Sequence, residues 1–216
     1  MDSITQNKKI LRGINKMPVF SIMTKKTPMI FNADLKTTPD YITLSDNDLT
    51  ATCTSASSGV AQTIVALRGK SAGKHYFEME FDSVSGNKQD FIGILELPPP
   101  YSYPGKVNGA SFQAYNARIS KSDTSFFTDA SLPTAGAIIG VAVDFTNLKA
   151  FWSLNNNWIS FTSENSNPVT GVDPLYVLDS ATVYYPSAAF YANTGVIKLI
   201  DPSSLTYTPP SGYEAW

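Results

Sequence analysis

The stretch "KHYFEMEFDS", residues 74–83, decides the reading of this chain. Phe77, Met79 and Phe81 alternate with Tyr76, Glu78, Glu80 and Asp82. Successive side chains of a strand point to opposite faces, so this period of two predicts a half-buried β-strand with an aromatic face turned to a core. It also sets three carboxylates on one face. They are either candidate catalytic acids or the polar side of an ordinary strand.

Outward from this strand the pattern stays β. "YITLSDNDLTATCT" (41–54) alternates, breaks at Asp46-Asn47-Asp48 and alternates again, as a hairpin does. "AQTIVALRGK" and "DFIGILEL" supply strands on either side of the signature stretch. "AIIGVAVDF" is nearly all apolar and suits a central strand covered on both faces. "LKAFWSLN" returns from a turn at Thr146-Asn147 with Leu148, Ala150, Trp152 and Leu154 on one face, so Trp152 is expected in the core. Asn155-Asn156-Asn157 makes the next turn, followed by "WISFT"; "YYPSAAFY" and "GVIKLI" are two late strands. Residues 98–137 are rich in loop signals ("PPPYSYPG", "SKSDTS", "SLPTAG") with room for short strands such as "ASFQAYNA". Many short strands without a long helical pattern point to an all-β sandwich over residues 31–216.

Residues 1–30 differ. Lys8, Lys9, Arg12, Lys16, Lys25 and Lys26 face a single acid, Asp2, so this arm carries about +5 within a chain whose net charge is −2. Ile10, Leu11, Ile14 and Met17 fall near helical spacing before Pro18, which permits a short amphipathic helix. Lys8, Lys9, Arg12 and Lys16 are the expected anchoring residues, and a basic arm of this kind suits nucleic acid, an anionic membrane or an acidic protein surface. The 216 residues are 43% hydrophobic and only 16% charged, which fits a globular domain with a sizeable core. Cys53 is the only cysteine, so no intrachain disulfide supports the fold. "MPVFSIM" is too short and too proline-broken for a signal peptide, and no apolar run reaches membrane-spanning length.

Four strands together resemble the SPRY (B30.2) family. "GKHYFEMEFD" (73–82) matches its central signature, with Phe77 where Trp is usual and Met79 where Val is usual. "IGIL" (92–95), "AIIGVAVDFTNLKAFWSLNN" (137–156) and "YPSAAFY" (185–191) follow in the same order. The start "FNADLKTTPDYITLSDNDLTATCT" and the end "PPSGYEAW" look most like SPRY-like domains of bacteriophage structural proteins, departing from them at Ala33 and Asn156. The resemblance implies a bent antiparallel β-sandwich of concanavalin-like jelly-roll architecture and binding rather than catalysis, with contacts made by loops.

Carboxylates two apart on a strand are separated by about 6.7 Å along the chain, a spacing glycosidases use. Yet the signature itself supplies Glu78 and Asp82, leaving only Glu80 extra. His75 is the single histidine, which argues against a histidine-based metal site. "GKSAGK" (69–74) fails the phosphate-loop pattern. "PPPY" (98–101) matches a short WW-domain ligand but reads better as a rigid aromatic loop. No catalytic residue, metal ligand or cofactor is therefore assigned. The expected binding residues are Tyr101, Tyr103, Phe112, Tyr115, Phe126, Phe127, Asn156 and Trp158, aromatic or turn positions suited to large contact at low entropic cost. The function expected is a non-enzymatic module of a phage virion, oligomeric within an assembly. The arm would join neighbouring virion proteins and the loops a host-surface glycan or protein. The alternatives are an intracellular, cytoplasmic adaptor that binds a peptide, and a sandwich-fold glycosidase.

Overall fold

The structure, a computed structural model, describes residues 28–37, 41–54, 61–83, 89–97, 103–106, 108–161, 165–191 and 194–216. The expected helix of the arm, its anchoring residues Lys8, Lys9, Arg12 and Lys16, and Tyr101 lie outside the described residues.

The described chain is all β. The strands are β1 (Phe31–Lys36), β2 (Ile42–Ser45), β3 (Thr50–Cys53), β4 (Ala61–Ala66), β5 (Lys74–Ser83), β6 (Asp90–Leu95), β7 (Gly109–Gln113), β8 (Arg118–Lys121) and β9 (Thr124–Phe127). They continue as β10 (Ala137–Asp144), β11 (Lys149–Leu154), β12 (Asn157–Trp158), β13 (Tyr176–Val177), β14 (Tyr185–Tyr191), β15 (Gly195–Leu199) and β16 (Glu214–Ala215). One sheet runs β1-β4-β14-β6-β7-β8-β9. The other runs β12-β11-β10-β5-β15-β3-β2, with β13 beside β11 and β16 beside β5. Every pairing is antiparallel except β16 on β5.

Between the sheets, Phe77, Met79, Phe81, Val141, Val143 and Trp152 meet Ile64, Ile92, Ile94, Phe112 and Phe190 in one core. Trp152 also donates its indole N–H to the Ile92 carbonyl at 3.2 Å, tying one sheet to the other. Burial of this aromatic and aliphatic surface is the main favourable term in the fold.

The hairpins follow their turn chemistry. Asp46, Asn47 and Asp48 all adopt positive φ between β2 and β3, as do Asn155 and Asn156 between β11 and β12. At the β10–β11 turn the Asp144 carboxylate accepts the Thr146 and Asn147 backbone N–H groups, each at 3.0 Å, and the Asn147 amide at 2.7 Å. It also pairs with Lys74, its register partner on β5, at 2.9 Å. Burial alone would raise the Asp144 carboxyl. Hydrogen bonds from Lys74 and Asn147, with the Lys74 charge, outweigh that and hold it below its ordinary value. Asp144→Ala strands these donors and should cost about 3 kcal/mol in denaturant unfolding. With a lowered folded pKa, the contribution of Asp144 is complete above about pH 4 and fades as the pH falls through that lowered value. The variant should therefore show a shallower acid limb than the parent.

The face of β5 opposite the core differs from the sequence reading. Tyr76 and Glu78 are buried, Glu80 is half-buried and Asp82 is exposed. The C-terminal segment lies over the first two. Tyr76, Ala142, Phe151 and Tyr213 form a second apolar cluster, with Trp158 and Leu205 packed against it. Gly140 makes room in this layer, because a Cβ there would collide with the Tyr76 hydroxyl and the Ser153 side chain. After the Asn155-Asn156 turn only Asn157 and Trp158 pair with β11, and the chain then turns toward Asp129 and Asp173.

Candidate binding surface

The loop-rich region 98–137 holds a three-stranded meander, β7–β8–β9, that completes the first sheet. Its tip is a two-residue turn at Ser122 and Asp123, with φ of 51° and 56°. Both lie in the left-handed region of a type I′ hairpin turn. The register is Lys121↔Thr124, Ser120↔Ser125, Ile119↔Phe126 and Arg118↔Phe127.

This register sorts the aromatics. Phe112 pairs with Ile92 and Ile119 on the inner face and is fully buried, so it belongs to the core and not to a binding surface. Phe126 shares that inner parity, but at the sheet edge it stays 38% exposed. It packs on Phe161 at 5.7 Å, and the Lys121 ammonium sits over both rings at 4.8 and 4.6 Å. Lys121 also donates to the Leu175 carbonyl at 3.1 Å. Burial lowers its ammonium below the usual lysine value, partly offset by the charge of Asp173. Phe127 faces the other way and is 72% exposed, with the Arg118 guanidinium stacked 3.7 Å above its ring.

Tyr115, on the β7–β8 turn, is 51% exposed. Tyr103 is half-buried. Its ring stacks on Phe91 at 4.3 Å and meets Tyr191 edge-on, so it is pinned to the outer side of the first sheet. Asn156 is exposed at the tip of the β11–β12 hairpin. Trp158 is half-buried, edge-on to Tyr76 at 6.4 Å.

Between residues 129–131, which follow β9, and the β11–β12 hairpin lies a cleft of about 280 Å³, lined by Asp129, Ala130, Ser131, Asn155, Trp158 and Ile159 among others. Its walls are held by hydrogen bonds. Ser160 N–H donates to the Asp129 carboxylate at 2.8 Å and Asp129 N–H to the Ser160 carbonyl at 3.1 Å. Asp173 accepts from the Phe161 N–H at 3.1 Å and from the Ser160 hydroxyl. Phe126 and Phe127 lie on β9, and Trp158 lines the cleft beside the segment that follows β9. Leu132, 52% exposed between β9 and β10, was missed by the sequence reading. Nothing in "SLPTAG" marks its single apolar side chain for exposure.

The carboxylate row does not form an acid pair. Glu78 accepts the Thr206 and Tyr207 backbone N–H groups at 2.7 and 2.9 Å and the Tyr76 hydroxyl at 2.9 Å. Both of its oxygens are engaged and fully buried. Among the described residues, no group of three or more His, Cys, Asp or Glu could hold a metal ion.

No family model matches the sequence, and no curated protein does either. Solved structures do match the fold. The SPRY domain of human HERC1 superposes with a TM-score of 0.62 over 81% of this chain and 99% of its own, at 15% identity. A second human SPRY domain gives 0.53 over 74% of this chain and 94% of its own, at 12% identity. The class is therefore established at the level of fold: this is a SPRY-like β-sandwich, as the strand signature implied.

Proposed function

We propose that the chain is a binding module of a larger assembly, with the β9–β12 flank as its contact surface and no catalytic role for the β5 carboxylates. The observation that carries this reading is Phe127. A large aromatic ring held 72% exposed on a strand, and braced by a stacked guanidinium, suits contact with a partner. Tyr115 and Leu132, each about half exposed, add further exposed apolar surface. Proteins are favoured over glycans as the ligand, because the most exposed groups of the flank are apolar.

The setting we propose is a phage virion. The resemblance of residues 31–54 and 209–216 to SPRY-like domains of phage structural proteins supports it, as does the charge contrast between residues 1–30 and the sandwich. In this reading the arm anchors the chain to neighbouring subunits and the flank meets a protein, at the host surface or within the particle. Deleting residues 1–27, which spares the buried Met29 and the Ile30 carbonyl that accepts the Leu67 N–H, should leave a sandwich with an unchanged melting temperature that no longer copurifies with particles. Undiminished incorporation would refute the anchor. Phe127→Ser should leave incorporation intact and reduce partner binding at least tenfold.

A further inference from the structure

We infer that the free edge of β9 binds an extended peptide by strand addition, and that the peptide alternates apolar and acidic side chains. This rests on the proposal that the flank is a protein-contact surface, and it specifies the mode of contact and the chemistry of the partner.

Among the described residues the edge is open: β9 ends the first sheet and pairs only with β8. In a two-residue hairpin the residues flanking the turn exchange both backbone bonds, and alternate residues after them point their N–H and C=O away. With Lys121↔Thr124 as the flanking pair, Thr124 and Phe126 bond to β8. Ser125 and Phe127 therefore turn their backbone groups outward, and among the described residues neither donates its N–H to a backbone acceptor. Folded proteins blunt open edges with charge, proline or cover. β9 (Thr-Ser-Phe-Phe) has no charge and no proline, and three of its four residues are exposed or nearly so.

The side chains beside the edge specify the partner. Arg118 has no carboxylate partner among the described residues, where the one ion pair is Lys74–Asp144. Its Nε is buried without an acceptor. Its guanidinium lies over Phe127 on the outer face. Strands pair about 4.8 Å apart, so a glutamate opposite Phe127 reaches across the ring to that guanidinium. On the inner face the flanking peptide residues meet Phe126 and Phe161, which selects apolar side chains there. A second copy of this chain suits the edge less well. Pairing β9 with itself about Phe126 would set Asp123 opposite Asp129 of the other copy, a like-charge contact.

The test uses the full chain and a display library of randomised twelve-residue peptides. Four chains are compared: the parent, Ser125→Pro, Arg118→Glu and Phe127→Ser. Proline at Ser125 removes an outward N–H and leaves the β8 bonds in place. Circular dichroism and melting should show all three variants folded. The parent should enrich peptides that alternate apolar and acidic residues. Those peptides should bind Ser125→Pro at least tenfold more weakly, and Arg118→Glu should favour basic alternation instead. Bound peptide should slow hydrogen exchange at the Ser125 and Phe127 amides. If enriched peptides bind Ser125→Pro as well as the parent but lose Phe127→Ser, the flank is a contact surface and strand addition is wrong. If no peptide is enriched, both readings fail. A dimer of the parent that Ser125→Pro dissociates would assign the edge to self-association and overturn the peptide proposal.

Discussion

Trp216→Ala lowers the unfolding free energy by about 4 kcal/mol, the range for truncating a buried tryptophan. At this chain length that corresponds to a fall in melting temperature of about 10 °C. The side chain is fully buried although it is the last residue described. Its indole N–H donates to the Arg68 carbonyl at 2.9 Å, and its backbone N–H to the Tyr76 carbonyl at 2.9 Å. The ring meets Phe77 edge-on at 5.4 Å and His75 at 5.8 Å, so it closes the end of the main core. Through Glu214 and Ala215 it also fixes the one parallel strand pairing, on His75 and Tyr76. Trp216→Phe keeps most of the burial and loses one hydrogen bond, so it should cost about 1–2 kcal/mol. If the alanine variant melts within a degree or two of the parent, the C-terminal residues do not close the core as described.

The same residues set a pH dependence. Burial, reinforced by the nearby Lys70 charge, lowers the His75 pKa below its ordinary value. A lowered folded pKa means the unfolded chain binds the proton first. The His75 contribution is therefore complete above about pH 6.5 and is lost as the pH falls through the lowered value. The melting temperature should fall between neutral pH and pH 5, and His75→Gln should flatten that slope.

Sequence legibility depended on whether a feature is local. The core faces of β5, β10 and β11 were readable because period-two alternation is written in consecutive residues, and the Asn155-Asn156 turn has side chains that tolerate positive φ. The β8–β9 hairpin was not readable. Its turn residues, Ser122 and Asp123, carry a weaker signal for that conformation than Asn-Gly does, so "SKSDTS" reads as loop. The aromatics of the meander then could not be sorted. Phe112 and Phe127 differ in fate by register alone, and register is decided by pairing partners. The burial of Tyr76 and Glu78 was hidden for another reason. The segment that covers them lies 128 and more residues away and contains the prolines and serines of an ordinary loop. The resemblance to SPRY domains reached the fold because it rests on strand order. It could not reach the binding surface, which depends on edges and turns.

Glu78→Ala should destabilise the chain by about 4 kcal/mol, and the reason bears on what β5 does. Glu78 connects β5 to the strap over its outer face, accepting two backbone N–H groups from Thr206 and Tyr207 and the hydroxyl of Tyr76. Removing the carboxylate leaves the buried Tyr76 hydroxyl and two part-buried backbone N–H groups without their acceptor, at roughly 1–3 kcal/mol for the buried donor and less for each of the others. Part of that is recovered if the strap loosens and water enters. Hydrogen exchange at the Thr206 and Tyr207 amides should then speed up well before global unfolding. Glu78→Gln keeps the shape but turns an amide NH₂ toward a donor, so about 2 kcal/mol is expected. Glu80→Gln and Asp82→Asn, on the uncovered end of the same row, should stay within about 0.5 kcal/mol. A glycosidase would give another pattern, in which Glu78→Gln abolishes turnover on a polysaccharide while the melting temperature holds. The gradient from Glu78 to Asp82 separates the two accounts. A latch predicts destabilisation that tracks burial, and an acid pair predicts lost turnover that tracks chemistry.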